Sequence, residues 1–112
     1  MNYHAHVYWK NNHERDIALS LHFQLEEYGC KIGRIWDKAI GPHPLPMYQV
    51  YYNSSNQNLV ESYLQSQSLT VLLHEDIGVN HVRDHTEGAR WIGRPLDLNI
   101  KWLEEYARIK NA

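Results

Sequence analysis

The sequence predicts an α+β domain ordered β-α-β-β-α-β, with one more helix at its C-terminal end. Three observations carry this. Residues 4–9, 47–53 and 69–74 alternate or run apolar over strand lengths. Between them lie two stretches with apolar residues at helical spacing. A length of 112 residues with 43% hydrophobic content suits one domain, spanning 1–112, with its own core.

Each element has its own signals. His4 to Trp9 reads as the first strand, and Asn11 or Asn12 can cap the helix that follows. Ile17, Ala18, Leu21, Leu25 and Tyr28 recur along that helix until Gly29 stops it. Lys31 to Ile35 is a short second strand. Asp37 to Pro46 holds one glycine and three prolines, so it is a stiff loop. Met47 to Asn53 is a strand rich in tyrosine and valine. Ser54 to Asn58 is a polar turn, and Leu59, Val60, Tyr63 and Leu64 line a second helix. Leu69 to His74 is the fourth strand. Residues 75–95 are polar and glycine-rich, so they read as irregular or partly helical. Asp97 can cap a last helix bearing Leu98, Trp102, Leu103, Tyr106 and Ile109.

This order is the split-βαβ, ferredoxin-like pattern. Right-handed crossovers give a four-stranded antiparallel sheet ordered 4-1-3-2 with both helices on one face. Strands 1 and 3 are read as parallel at its centre. The other face is expected to be open, and such a face pairs two copies into a homodimer or takes the chain's own tail.

Composition removes several classes of function. A net charge of −2 leaves no basic face for nucleic acid. No run of about 18 apolar residues exists for a membrane span, and no secretory leader is visible at the N-terminus. The single cysteine, Cys30, has no internal partner, which fits a reducing compartment, the cytoplasm.

The chemistry points to histidine. His4 and His6 flank one residue of a strand, so they face one way, with Cα atoms roughly 6.5–7 Å apart. Under the topology above, the Gly41-Pro42-His43-Pro44 loop and the end of strand 4 arrive beside them, bringing His43, His74, His81 and His85. His13 and His22 fall on or near the first helix. Alternation turns Ala5, Val7 and Trp9 toward the helices and His4, His6 and Tyr8 toward the open face. It places Met47, Gln49 and Tyr51, and Thr70, Leu72 and His74, on that same face. Taken singly, each histidine reads as an ordinary hydrogen-bonded residue, Tyr8 and Tyr51 as packing, and the proline loop as a stiff turn. Together they outline a polar, aromatic-lined site.

Imidazoles suit zinc, iron, copper and nickel. Three with an open position support hydrolysis or oxygen chemistry. Two plus a carboxylate suit non-haem iron(II), with Glu75 and then Asp84 as the nearest carboxylates. No metalloprotease spacing is present, since His74-Glu75 has no histidine four residues on.

Four blocks then carry a resemblance over nearly the whole chain. They are His4-Ala5-His6-Val7-Tyr8, Gly41-Pro42-His43-Pro44 leading to Met47-Tyr48-Gln49-Val50, Leu69-Thr70-Val71-Leu72-Leu73-His74, and Asp84-His85-Thr86 running to Trp91-Ile92-Gly93. The sequence resembles the DOPA 4,5-dioxygenase family. The resemblance implies an extradiol ring-cleaving dioxygenase that uses iron(II) and O2 on a catechol such as L-DOPA. Zinc readily fills such a histidine site in a crystal, because it binds more tightly than iron(II). The resemblance further implies His6, His43 and His74 as metal ligands, with His4 and His85 handling protons and substrate. Tyr8, Gln49 and Tyr51 would line the substrate, and Arg83 or Arg90 would meet a substrate carboxylate. Where the family commonly has proline after the strand-4 histidine, this chain has Glu75. The competing readings are a non-enzymatic ferredoxin-like dimer that binds a metal or small aromatic ligand, and a zinc hydrolase.

Overall fold

The structure, a computed structural model, describes residues 1–78 and 80–110. Strand β1 (Asn2–Tyr8) leads into helix α1 (Asn12–Ser20), whose first turn is closed by the Asn11 side chain accepting from the Glu14 amide at 2.9 Å. Leu21 interrupts the helix, which resumes as α2 (His22–Glu27), so the single helix expected here is two. The chain then turns at Gly29, whose φ of +92° suits a residue without Cβ. Strand β2 (Lys31–Ile32) is shorter than expected, although Trp36 rejoins the sheet through an isolated bridge to Met47. Strand β3 (Met47–Asn53), helix α3 (Gln57–Gln65) and strand β4 (Val71–Glu75) follow as anticipated. Beyond them lie a short helix α4 (His81–Asp84), a strand β5 (Ala89–Ile92) and helix α5 (Ile100–Lys110).

The sheet has five strands in the order β2-β3-β1-β4-β5, and every neighbouring pair is antiparallel. The expected four-stranded sheet is therefore corrected to five strands, because β5 adds a further edge beyond β4. The parallel pairing of strands 1 and 3 is corrected: β1 and β3 run antiparallel, with Tyr8 opposite Met47. Each crossover helix here joins strands separated by one intervening strand, so strands adjacent in space run in opposite directions. The last helix also begins differently. Asn99, not Asp97, caps it, accepting from the Trp102 amide at 3.1 Å, and Leu98 lies outside it.

The main core lies between the sheet and helices α1 to α3. Ala5 and Val7 of β1 with Trp9 just after it, Tyr48, Val50 and Tyr52 of β3, and Val71 and Leu73 of β4 meet Ala18, Leu21, Leu25, Val60 and Leu64. This is the facing that alternation predicts. Leu64 is fully buried, so Leu64→Ala is expected to cost about 2–5 kcal/mol of stability through lost burial and a residual cavity. A urea-unfolding midpoint indistinguishable from wild type would refute that.

The opposite face is only partly open. Around Tyr8, Met47 and Leu72 it carries a second apolar cluster with Trp36, Ile40, Leu45, Trp91, Leu96 and Leu98. The proline loop and the approach to α5 thus cover one end of the face with the chain itself. A homodimer across this face would have only the remainder to use.

Candidate metal centre

The other end of that face holds the histidines. His4 and His6 project from β1, and His74 lies directly opposite His4 on β4. His43 arrives from the other direction. Because β3 runs antiparallel to β1, its preceding loop enters near Tyr8, and a tight turn folds it back. Gly41 makes that turn at φ +58°, and the His43 amide donates to Ile40 O at 3.0 Å. His85 caps the C-terminal end of α4. The rings of His43 and His6, and those of His74 and His85, have centroids 4.2 Å apart, while His6 and His74 stack at 4.9 Å. Two triads bring one nitrogen from each residue within 4.8 Å of the others: His4, His6 and His74, and His6, His43 and His85. His6 belongs to both.

The hydrogen bonds sort these residues by role. His74 Nδ1 donates to Glu75 O at 2.8 Å and His85 Nδ1 donates to His81 O at 2.7 Å. A carbonyl can only accept, so Nε2 of each carries a lone pair. His43 Nδ1 is engaged by the Tyr8 hydroxyl at 2.7 Å, which leaves its Nε2 toward the pocket. His6 Nε2 donates to His74 Nε2 at 2.8 Å, and His6 Nδ1 is buried with no partner. His4 differs from all of them. Its Nδ1 accepts from the Gln49 amide at 2.9 Å, and its Nε2 lies 3.0 Å from Asp76 Oδ2.

Burial keeps these rings neutral. It pushes His6 far below the ordinary imidazole range, with the neighbouring imidazoles adding to the effect. His43 and His74 are lowered to about 3 by burial, reinforced by His85. His85 is lowered too, also mainly by burial. Burial lowers His4, while the Asp76 carboxylate opposes it.

Neutral imidazoles with free lone pairs are what a cationic metal requires. The geometry fits as well. Two nitrogens about 2.1 Å from one ion at a right angle stand about 3 Å apart, close to the 2.8 Å between His6 and His74 Nε2. The carbonyl-fixed tautomers of His74 and His85 also match a metal site, where the second ring nitrogen of a ligand is held by a backbone oxygen.

The other expected site residues are distributed differently. Gln49 lines the cavity, through its bond to His4. Tyr8 is fully buried behind His43 and stacks on Trp91, so it orients the histidine from behind. Tyr51 sits beside His4, ring centroids 4.9 Å apart, and faces an adjoining hollow with Lys31. Arg83 is held by Glu75 at 2.8 Å and Arg90 by Glu61 at 2.7 Å, and neither lines the cavity. Glu75 is thereby turned to Arg83. Asp84, buried, accepts from the Ile77 amide at 3.3 Å, and neither carboxylate joins a histidine triad.

The cavity above the histidines encloses about 200 Å³, a volume for a small single-ring molecule. Three of its lining residues escaped the sequence reading. Asp76 follows His74 by two residues, and its amide donates to Asn2 O at 2.9 Å, prolonging the β4–β1 ladder. Extending the period of two past the strand would have found it. Trp102 and Tyr106, four apart on α5, form a wall stacked at 5.3 Å, with rings 8° from parallel. Trp102 lies against Gly41, at the turn that delivers His43.

The family model described as "Dopa 4,5-dioxygenase family" matches residues 3–102. The chain belongs to the Dopa 4,5-dioxygenase family. That match takes in all five clustered histidines. An uncharacterized 21.2 kDa protein of Botryotinia fuckeliana is 27% identical over 120 residues, covering 97% of this chain and 66% of that protein. A DOPA 4,5-dioxygenase of Amanita muscaria is 29% identical over 109 residues, covering 88% of this chain and 47% of the relative. The chain thus spans about half to two thirds of the length of these family relatives. A crystal structure from Nostoc punctiforme, provisionally named a dioxygenase, superposes with a TM-score of 0.87 at 35% identity, covering 94% of this chain and 92% of the other.

Proposed function

We propose that this chain is an iron(II)-dependent extradiol dioxygenase that opens the ring of a catechol such as L-DOPA with O2. The observation that carries the proposal is the buried cluster of neutral imidazoles beneath an aromatic-walled cavity, in a chain of this family. His6 is the ligand common to both triads; His43 and His85 each offer an Nε2 lone pair beside it, and the His74 Nε2 lone pair is met by His6. Bound iron(II) supplies Lewis acidity toward the catechol oxygens and the one-electron steps that dioxygen chemistry needs.

The chain's own residues do the rest. The cavity holds the ring near the histidines, which lowers the entropic barrier to bringing ring and oxygen together. His4, its Nε2–H held by Asp76, takes a hydroxyl proton at Nδ1 in exchange for the Gln49 hydrogen bond and returns it as the ring opens. Both oxygen atoms enter the product, a ring bond flanking the two hydroxylated carbons breaks, and the ring supplies the electrons that O2 accepts. No outside reductant is required. Among the described residues no helix is long and apolar enough to cross a membrane, and a cytoplasmic setting, where iron(II) stays reduced, suits the reaction.

The test is oxygen consumption with a yellow ring-cleavage product when iron-loaded protein meets a catechol. Neither signal across a panel of catechols would refute the proposal. Activity that survives strict exclusion of oxygen would point instead to a hydrolase.

A further inference from the structure

The two arginines that could have received a substrate carboxylate are both engaged away from the cavity, Arg83 with Glu75 and Arg90 with Glu61. Among the described residues lining the cavity, no lysine or arginine appears. The one carboxylate in the wall is Asp76. One of its oxygens bonds His4, the other has no hydrogen-bond partner among the described residues, and the side chain is 28% exposed. Across the cavity stands the Trp102–Tyr106 wall, anchored by the buried Leu103 and by the Asn99 amide donating to Pro42 O at 2.8 Å.

From this charge pattern we infer that the site selects catechols whose side chain is uncharged or carries an ammonium group, and disfavours those whose only charged group is a carboxylate. The ring would lie against Trp102 and Tyr106, with Asp76 as the charge determinant. The inference rests on the catechol reading above and narrows it. With the catechol oxygens turned toward the histidines that would hold the metal, the side chain at the ring's other edge would sense mainly the wall. At a few ångströms, in a half-buried setting, a single carboxylate attracts an ammonium and repels a carboxylate by an amount worth roughly tenfold or more in affinity. Stacking of the ring on the aromatic wall is independent of that charge and should be shared by every catechol. The nearest competing cation is Lys31, in the adjoining hollow above the Tyr51 ring, its ammonium 5.8 Å from the ring centroid.

The experiment uses zinc-loaded protein, so that no turnover depletes the ligand. It titrates three 4-substituted catechols of matched size, bearing an aminoethyl, a propyl or a carboxyethyl group, by calorimetry. The aminoethyl compound is expected to bind roughly tenfold or more tightly than the carboxyethyl compound, with the propyl compound between them. Asp76→Asn should shrink that ratio severalfold. Trp102→Ala should weaken all three alike while zinc content stays unchanged. Equal or tighter binding of the carboxyethyl compound by wild type overturns the inference, and its loss in Lys31→Ala would place the side chain in the Lys31 hollow instead. A ratio unchanged in Asp76→Asn overturns it as well, as does failure of all three to bind. Binding in the expected order without oxygen uptake by the iron-loaded protein would remove the dioxygenase reading and leave this selectivity standing.

Discussion

Replacing His6 by alanine is expected to strip the protein of metal and of turnover together, whereas His4→Ala keeps the metal and loses turnover alone. The difference follows from nitrogen bookkeeping. His6 is the only residue shared by both triads that can close around one ion. It is almost wholly buried, and one of its ring nitrogens has no protein partner. Its loss leaves at most two imidazoles of either triad. The fall in affinity should exceed the roughly 10–100-fold typical of deleting a group that merely orients a ligand. His4 stands close enough to be counted in a triad, yet Gln49 and Asp76 occupy both of its nitrogens. Its single lone pair, at Nδ1, is covered by the Gln49 amide, which a substrate hydroxyl can replace for proton exchange while Asp76 keeps the ring in place beside the ion and not on it. Its removal should lower turnover by about 10²–10⁴-fold, the usual worth of a positioned acid–base group. Metal analysis of anaerobically reconstituted variants, set beside oxygen uptake, decides the matter. Stoichiometric metal in His6→Ala, or its loss in His4→Ala, would reverse the two assignments.

The legible part of this site was the facing of its strands. Alternation alone assigns His4, His6, Gln49 and His74 to one side of the sheet, because in-plane pairing leaves each side chain only two directions. Strand direction was less secure. A parallel reading of strands 1 and 3 still delivered His43 to the right place, because the loop before β3 turns back at Gly41 over the face it had overshot. Strand β5 was invisible for a physical reason. Its four residues, Ala89 to Ile92, lie between Gly88 and Gly93 and show too few alternations to separate them from loop. Ion pairing hid the fate of the arginines. Nothing near Arg90 in sequence marks Glu61, 29 residues earlier on another element, as its partner. The aromatic wall was hidden in the same way. Trp102 and Tyr106 read as the apolar stripe of a helix, and only the packing of α5 against the proline loop makes them part of a cavity.

The same burial that prepares the imidazoles for a metal should make the metal-free protein acid-sensitive well above the range where carboxylates titrate. His43 and His74 take up protons in the unfolded chain near the ordinary imidazole value of about 6.5. In the folded protein burial lowers both to about 3. The sign follows directly. Between these limits the unfolded chain binds more protons than the folded one, so stability falls as pH falls. Above about pH 6.5 both states hold neutral rings and nothing is lost. A group titrating in only one state changes stability by about 1.4 kcal/mol per pH unit. Two such rings imply a loss of about 3 kcal/mol between pH 7.5 and 5.5, a large share of the roughly 5–15 kcal/mol that holds a domain of this size. His6 and His85, also lowered by burial, push in the same direction. Urea unfolding of the metal-free protein at pH 7.5 and 5.5 measures the effect. The slope should flatten in the double variant His43→Gln, His74→Gln, which removes the titrating rings but keeps polar side chains. Equal wild-type stability at the two pH values would mean that the rings protonate in place, and that this cluster is not held neutral in readiness for a cation.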